Sequence, residues 1–293
     1  MRLALQFLLM MGLAVNAAAT TTACSPVPGA DQIWSRPAVH WLFIGELHGS
    51  NETPAVFGNL VCDAIAHGKH VTVALERPSS EQAALDNILT ALDLAKAKED
   101  LLQLRGWKEV LDGRASEAML RLLISLRELH RLHPDLKVVA FDAPYTGTAP
   151  GARDEAMGHA LLSLSPAKPN DLVIILTGNI HAMQASKRYD LTAMYLPAKE
   201  ILSLEVTDRG GESWSLDATG GCGPFKGGVG DKNAEKPYGI YLDPGLAPFG
   251  KVDGVLSLGV PLTTSAPAAG EPSPVPACRT KFLSEHQAVS KNE

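Results

Sequence analysis

The sequence has little of what marks several protein classes. Only 5% of its 293 residues are aromatic, and 26 Lys and Arg face 32 Asp and Glu, which gives a net charge of −6. Binding of nucleic acid through its phosphates needs clustered cations, so this balance argues against such a partner. After the N-terminus no run approaches the roughly 20 apolar residues of a membrane-spanning helix, and we expect no transmembrane segment in the mature chain.

Several familiar motifs are also missing. The glycine-rich stretch 220–230 has neither of the spacings that cradle a phosphate, and we predict a surface excursion there. Ser50 is not surrounded by G-x-S-x-G, which argues against a serine hydrolase. The cysteines form no C-x-x-C pair, which leaves a zinc knuckle unsupported.

The N-terminus has the pattern of a secretory signal. One Arg precedes the apolar run 3–15, and Ala17 and Ala19 fit the A-x-A pattern of a cleavage site. We therefore predict a signal peptide at 1–19 and a secreted or periplasmic protein. A lipid anchor on Cys24 is the second interpretation.

Export places the cysteines in an oxidising compartment, where disulfides persist. Cys222 and Cys278 flank a Gly- and Pro-rich segment and are candidates for a bridge across it. Cys62 lies in an apolar helical pattern, which predicts a buried thiol. With Cys24 included, the connectivity of the four cysteines stays open.

Short apolar runs alternate with longer amphipathic ones, which predicts an α/β fold with a mainly parallel central sheet flanked by helices on both faces. The predicted strands are 41–45, 70–76, 136–143, 171–178, 201–206 and 254–260. The predicted helices are 54–67, 79–97, 115–132 and 153–164. We expect one domain over 31–262, followed by a Pro-rich C-terminal tail at 263–293.

Each of the first four predicted strands is followed by a polar or titratable residue. These residues are Glu46 with His48, Glu76, Asp142, and Asn179 with His181. Because ligands of an open parallel sheet bind outside the carboxyl ends of its strands, we expect these side chains to form one cluster there.

The residue types suggest roles within that cluster. Glu46 and His48 are two apart, which suits a carboxylate that orients an imidazole and raises its basicity. Glu76 ends an apolar strand, and a half-buried carboxylate needs a donor or a cation. It is a candidate catalytic residue, and an ion pair with Arg77 or Arg153 is the alternative.

Three further residues are candidates for contact with the substrate. Arg153 would hold a carboxylate or a carbonyl oxygen. Asp142 either contributes to the site or caps the next turn, and Tyr145 would reach a bound group near the same edge. His181 follows Gly178, whose missing side chain lets the backbone approach a ligand closely, so we favour a functional role for it.

Five segments, in order, carry a resemblance: FIGELHGSNETP, VALERP, FDAP, RDEAM and LTGNIHA. They resemble the superfamily that joins erythromycin-esterase-like hydrolases, ChaN-like haem-binding proteins and Tiki metalloproteases. The resemblance spans roughly residues 40–200 and implies an α/β fold with a site at the carboxyl edge of the sheet. It places His48 with Glu46, Glu76 and His181 in that site.

The resemblance implies more than one chemistry. Esterase-like members use a histidine to activate water, which here would be His48 or His181, with Glu46 or Glu76 setting the tautomer and Arg153 steadying the oxyanion. Tiki-like members would place a divalent metal on His48, Glu76 and His181.

The hypothesis is therefore a secreted hydrolase that cleaves an ester or amide bond in a small molecule or peptide. Whether it uses a divalent metal stays open. The alternative is a ChaN-like haem- or iron-binding protein of the cell envelope without catalytic activity. The substrate and the oligomeric state stay open.

Overall fold

The computed structural model describes residues 24–109, 111–144, 149–216, 221–227 and 235–270. The predicted signal peptide at 1–19 lies outside this range, as do Tyr145 and Cys278. The expectations for these residues therefore stay predictions.

A mainly parallel sheet forms the centre of the fold, as predicted. The strands are β1 Trp41–Glu46, β2 His70–Pro78, β3 Lys137–Asp142, β4 Asp171–Gly178, β5 Ile201–Thr207, β6 Glu212–Leu216, β7 Cys222–Lys226, β8 Gly239–Tyr241 and β9 Gly254–Ser257. Seven of them form one sheet in the order β3-β2-β4-β1-β5-β9-β8. All neighbours in it are parallel except β8 and β9.

Helices cover both faces of this sheet. They are α1 Asp31–Trp34, α2 Glu52–Ala66, α3 Gln82–Thr90, α4 Leu94–Gln103, α5 Arg105–Lys108, α6 Glu117–Leu132 and α7 Ala152–Leu162. No helix in the described part of the chain combines the length and apolarity that crossing a membrane requires.

The alternation along β1 explains why the central strands are apolar throughout. Leu42 and Ile44 belong to the larger core, with side chains from α2, α3 and α6. Trp41 and Phe43 point the other way, into a second core that includes Met157 of α7. Successive side chains of a strand face opposite sides, so a sheet covered on both faces needs apolar residues at every position.

The single helix predicted over 79–97 is wrong. The segment begins as a 3₁₀ helix at Ser79–Glu81, continues as α3 and breaks before α4. At the break, the side chain of Asp93 accepts a hydrogen bond from the backbone N–H of Lys96 and so caps a new helix. Ala91 has an extended backbone and ends α3, and Asp93 begins α4.

The glycine-rich stretch is more ordered than expected. Residues Cys222–Lys226 form β7, which pairs antiparallel with β6. Trp214 of β6 is 3% exposed and packs with Leu111 and Cys222 in a small core of its own. The β6–β7 hairpin is therefore part of the packed structure.

Cys62 is not the free thiol that its apolar surroundings suggested. It forms a disulfide with Cys24, with the two Cα atoms 5.5 Å apart. Helical periodicity indicates that a residue faces the core and does not reveal a partner from another segment. A lipid thioether on Cys24 would need the same sulfur, so the disulfide and the lipid anchor are alternatives.

The first residues of the predicted tail pack against the domain. Ser265 donates its backbone N–H to the carbonyl of Gly49, 2.9 Å away. Its hydroxyl accepts the backbone N–H of Ala118 at 2.8 Å, in the first turn of α6. This segment thus holds the start of α6 against the loop that follows β1.

Replacing both Cys24 and Cys62 by Ser should lower the free energy of unfolding by about 3–4 kcal/mol, because the bridge closes a loop between residues 38 apart. Urea unfolding of the oxidised parent and the double variant checks this. Equal midpoints and slopes would show that the bridge does not stabilise the fold.

Candidate functional site

The residues predicted at the ends of β1, β2 and β4 do meet, and they meet around Glu76. Nε2 of His48 lies 3.7 Å from Oε2 of Glu76. Nε2 of His181 lies 3.9 Å from Oε1 of the same carboxylate. Glu46 and Asp142 belong to the same cluster through His48 and through shared arginines. The expected convergence at the carboxyl edge of the sheet is confirmed.

Glu76 is held by four hydrogen bonds. Its Oε1 accepts from Arg153 Nη2 at 2.7 Å and from Arg114 Nη1 at 3.0 Å. Its Oε2 accepts from the hydroxyl of Thr177 and the backbone N–H of Gly178, both at 2.7 Å. An ionised carboxylate offers about four acceptor positions. Each position of Glu76 is therefore in use.

These contacts keep Glu76 ionised although it is only 5% exposed. Burial by itself would raise the pKa of the carboxyl group. The positive charge of Arg114 outweighs this, together with His48, His181 and Arg153, and the pKa of Glu76 lies well below its usual value.

Two further carboxylates, Asp142 and Asp112, form hydrogen bonds with Arg153 and Arg114. Asp142 accepts from Nε and Nη2 of Arg153, at 3.1 and 2.8 Å, and from Nη1 of Arg114 at 3.2 Å. Asp112 accepts from Nε of Arg114 at 2.9 Å. The ion pair expected as the alternative for Glu76 is thus present with Arg153, whereas Arg77 pairs with Glu81.

His48 and Glu46 form the predicted acid–imidazole pair. Nδ1 of His48 lies 3.0 Å from Oε1 of Glu46. Burial raises the pKa of Glu46, although its contact with His48 opposes the shift. Burial would lower the pKa of His48, but the hydrogen bond to Glu46 and the charge of Glu76 more than compensate, and the pKa lies above its usual value.

His181 is held at both ring nitrogens. Nδ1 lies 2.6 Å from Oδ1 of Asp154, and Nε2 lies 3.0 Å from Nη1 of Arg153. Because an arginine can only donate, Nε2 must be the acceptor. Nδ1 therefore carries the proton and donates a hydrogen bond to Asp154. Asp154 also accepts from the backbone N–H and the hydroxyl of Thr192, at 2.9 and 2.8 Å.

Gly178 lies between the two imidazoles. A Cβ atom at this position would lie 3.3 Å from Nε2 of His48 and 3.6 Å from Cδ2 of His181. A side chain here would extend into the space that both rings border. The glycine of L-T-G-N-I-H thus keeps that space open.

This space is part of a cleft of about 300 Å³. One wall consists of Glu46, Leu47, His48 and residues 178–181, and the other of Ser213, Ser215, Phe225, Lys226 and Gly227 from the β6–β7 hairpin and its end. Arg153 and Asp142, expected to contact the substrate, do not line this cleft. They lie with Glu76, where they hold the carboxylate and His181.

Three residues that end no strand, Asp112, Arg114 and Asp154, were given no role in the sequence analysis. Asp112 and Arg114 belong to a turn before α6, and Asp154 suits the first turn of a helix without any further role. The polar sequence Asp-Gly-Arg, directly before an amphipathic helix, was the one available signal for Arg114. Their role depends on tertiary contacts with Glu76 and His181.

The arrangement does not suit the proposed metal set of His48, Glu76 and His181. Among the described residues, no group of three or more His, Cys, Asp or Glu side chains has metal-binding geometry. Both oxygens of Glu76 and Nε2 of His181 already accept hydrogen bonds, two of them from Arg153. A divalent ion would have to displace a guanidinium that these same atoms bind.

Comparison with known proteins supports the fold and no activity. No family model matches this chain, and no curated protein sequence matches it. A crystal structure of a Bacillus cereus protein is similar, with 11% identity and a TM-score of 0.53 over 78% of this chain and 90% of that one. The type III effector HopBA1 is 17% identical, with a TM-score of 0.42 over 68% of this chain and 94% of that one.

Changing Glu76 to Gln should lower the free energy of unfolding at neutral pH by about 3 kcal/mol, because Arg114 and Arg153 lose one of their carboxylate partners and a neutral amide cannot accept all four buried hydrogen bonds. The depressed pKa of Glu76 means that its contribution is present above the unfolded value of 4.5 and is lost as the pH falls through the folded value. The difference between parent and variant should therefore shrink in acid.

Urea unfolding at several pH values measures this difference. Glu99→Gln is the matched control, since Glu99 has a side chain 63% exposed in a surface ion pair and should change stability by less than about 0.5 kcal/mol. A constant difference from neutral pH to pH 3 would contradict the ionised state of Glu76.

Proposed function

We propose that this protein hydrolyses esters or amides and that His48 is the general base that activates water. The observation that carries the proposal is the difference between the two imidazoles. Nε2 of His181 accepts from Arg153, whereas Nε2 of His48 has no hydrogen bond to any described residue and borders the cleft. A general base needs a nitrogen that is open towards the reacting water.

Glu46 prepares His48 for this role. By accepting a hydrogen bond from Nδ1–H, Glu46 selects the tautomer in which Nε2 has a lone pair. It also stabilises the imidazolium that forms. Nε2 takes a proton from water while the water oxygen bonds to the carbonyl carbon. The tetrahedral intermediate then expels the alcohol or amine, which receives the proton from His48. Water and substrate thus give an acid and an alcohol or amine.

The opposite wall offers hydrogen-bond donors for the oxyanion. Ser213 and Ser215 line the cleft together with His48, and because the Ser215 hydroxyl donates to the carbonyl of Leu216 at 3.4 Å, Ser213 is the better candidate donor. Donors fixed where negative charge develops lower the barrier of acyl transfer. We assign the oxyanion to this wall rather than to Arg153, which does not line the cleft.

We assign positioning roles to Glu76, Arg153 and His181. Glu76 accepts four hydrogen bonds and has a depressed pKa, so it is a poor proton acceptor. Four of the five N–H groups of Arg153 are bonded to Glu76, Asp142 and His181. Together these residues fix the β4 loop that forms one side of the cleft.

This proposal favours the erythromycin-esterase-like branch of the superfamily that the sequence resembles. That branch activates water with a histidine and no metal, which agrees with a donor set that arginines already occupy. The signal-like N-terminus makes the proposed hydrolase a secreted or periplasmic protein.

Haem binding is less well supported by the same contacts. An axial histidine needs an open nitrogen beside an apolar slot of haem size. Nε2 of His181 is bonded to Arg153, and His48 borders a cleft of about 300 Å³ with Glu76 only 3.7 Å away. Titration with haem should therefore give no saturable Soret shift that His48→Ala removes.

The variant His48→Ala should lower kcat by roughly 10²- to 10⁴-fold, the usual contribution of a general base. A panel of p-nitrophenyl esters and peptide anilides provides the assay. His70→Ala is the matched control, because His70 has a side chain 56% exposed and lies at the opposite end of β2. Full turnover by His48→Ala would contradict the proposed mechanism.

The pH profile tests the pairing of His48 with Glu46. Because the pKa of His48 is raised and the base must be neutral, the acid limb of kcat/KM should lie above the ordinary value of 6.5. Glu46→Gln weakens the hydrogen bond and removes one of the negative charges that raise this pKa, so the limb should move to lower pH. Glu99→Gln should leave the limb in place, and an unmoved limb in Glu46→Gln would show that another group titrates.

A further inference from the structure

The β6–β7 hairpin presents one of its faces to the cleft. Side chains alternate along a strand, and Trp214 is buried against Leu111, away from the cleft. Ser213 and Ser215 flank Trp214, and Phe225 lies directly across the hairpin from Ser213. These three residues line the cleft opposite His48.

The hairpin is fixed to the loop that carries His48. The backbone N–H of Trp214 donates to the carbonyl of Gly49 at 2.9 Å, and its indole N–H donates to the carbonyl of Leu111 at 3.1 Å. Gly49 has a φ of +84°, and a Cβ there would lie 1.9 Å from the carbonyl oxygen of Trp214. The distance between the hairpin and His48 is therefore set by backbone contacts.

Apolar side chains surround the entrance of the cleft. Phe225 and Leu47 are half-buried, and Ile180 is 55% exposed although it directly precedes His181. A single exposed apolar residue is ordinary on a protein surface. Here three line one cleft whose base is polar, which is the usual composition of a small-molecule site.

The charges beneath the cleft disfavour an anionic ligand. Carboxylates outnumber guanidiniums in the cluster around Glu76: Glu76, Asp112, Asp142 and Asp154 face Arg114 and Arg153. Lys226, which lines the cleft, has an acidic cross-strand neighbour in Glu212. A negatively charged group close to His48 would meet net repulsion.

We infer that the β6–β7 hairpin selects the substrate, which is an uncharged ester or amide with a compact apolar group, aromatic or branched, lying against Phe225, Leu47 and Ile180. This inference rests on the proposed hydrolase function and adds the substrate class to it. The cleft volume of about 300 Å³ is at the lower end for small-molecule pockets, which limits the apolar group to about one ring.

The experiment compares p-nitrophenyl benzoate with p-nitrophenyl acetate, which have the same leaving group. In Phe225→Ala and in Ile180→Ala the ratio of kcat/KM for benzoate over acetate should fall about tenfold, as expected for lost apolar contact in a pocket. The parent should also prefer benzoate to its 4-carboxy analogue. Phe249→Ala is the matched control, because Phe249 is 52% exposed and does not line the cleft.

The outcomes distinguish a wrong substrate class from a wrong function. If His48→Ala removes turnover while Phe225→Ala and Ile180→Ala keep the parent ratio, the hydrolase stands and the assigned substrate class is wrong. If the parent hydrolyses neither these two esters nor any member of the ester and anilide panel, the proposed function fails. Acetophenone, which water cannot cleave, then tests the apolar site by ligand-observed NMR. Weakened acetophenone binding in Phe225→Ala but not in Phe249→Ala supports the site, and binding by Phe225→Ala equal to that of the parent overturns it.

Discussion

The site depends on one buried negative charge, the carboxylate of Glu76 at the end of β2. Such a charge is stable only with donors and cations around it, and here they come from separate parts of the chain. Thr177 and Gly178 belong to β4, Arg153 to α7 and Arg114 to the turn before α6. Satisfying Glu76 therefore fixes α7 and that turn against the carboxyl edge of the sheet. The same contacts define the back of the cleft.

That constraint gives the two histidines different roles. Arg153 reaches Glu76 and His181 together, so the ring of His181 becomes part of the network that holds the carboxylate. His48 contacts Glu46 through Nδ1 and has Nε2 left for another molecule. The residue types alone do not distinguish the two imidazoles, because both follow a Gly-x-x pattern and both have a carboxylate at Nδ1. The position of Arg153 distinguishes them, because it occupies Nε2 of His181 and not Nε2 of His48.

The sequence predicts the features that depend on local pattern. The apolar runs correctly predicted the central strands. The polar residues at or just after the ends of β1, β2 and β4 were correctly placed at one edge of the sheet. Features that need a distant partner were missed: the Cys24–Cys62 bridge, Arg114 as a partner of Glu76, and β7 as a strand. A glycine-rich stretch has weak strand propensity, and only its pairing with β6 and the packing around Trp214 make it a strand. The break before α4 depends on the side chain of Asp93, whose hydrogen bond to the backbone competes with a continuous helix.

The β6–β7 hairpin, which the sequence analysis missed, completes the cleft, and its position follows from the loop that carries His48. The loop after β1 places His48 beside Glu76, and its next residue, Gly49, accepts the backbone N–H of Trp214 through its carbonyl. Gly113 also packs on Trp214. A Cβ atom at Gly113 would lie 2.5 Å from the carbonyl oxygen of Trp214. The turn that supplies Arg114 and the loop that supplies His48 thus pack on one residue of the hairpin. Any shift of Trp214 would therefore move the apolar wall and disturb both loops, so the positions of His48, of the charged cluster around Glu76 and of the hairpin depend on one another.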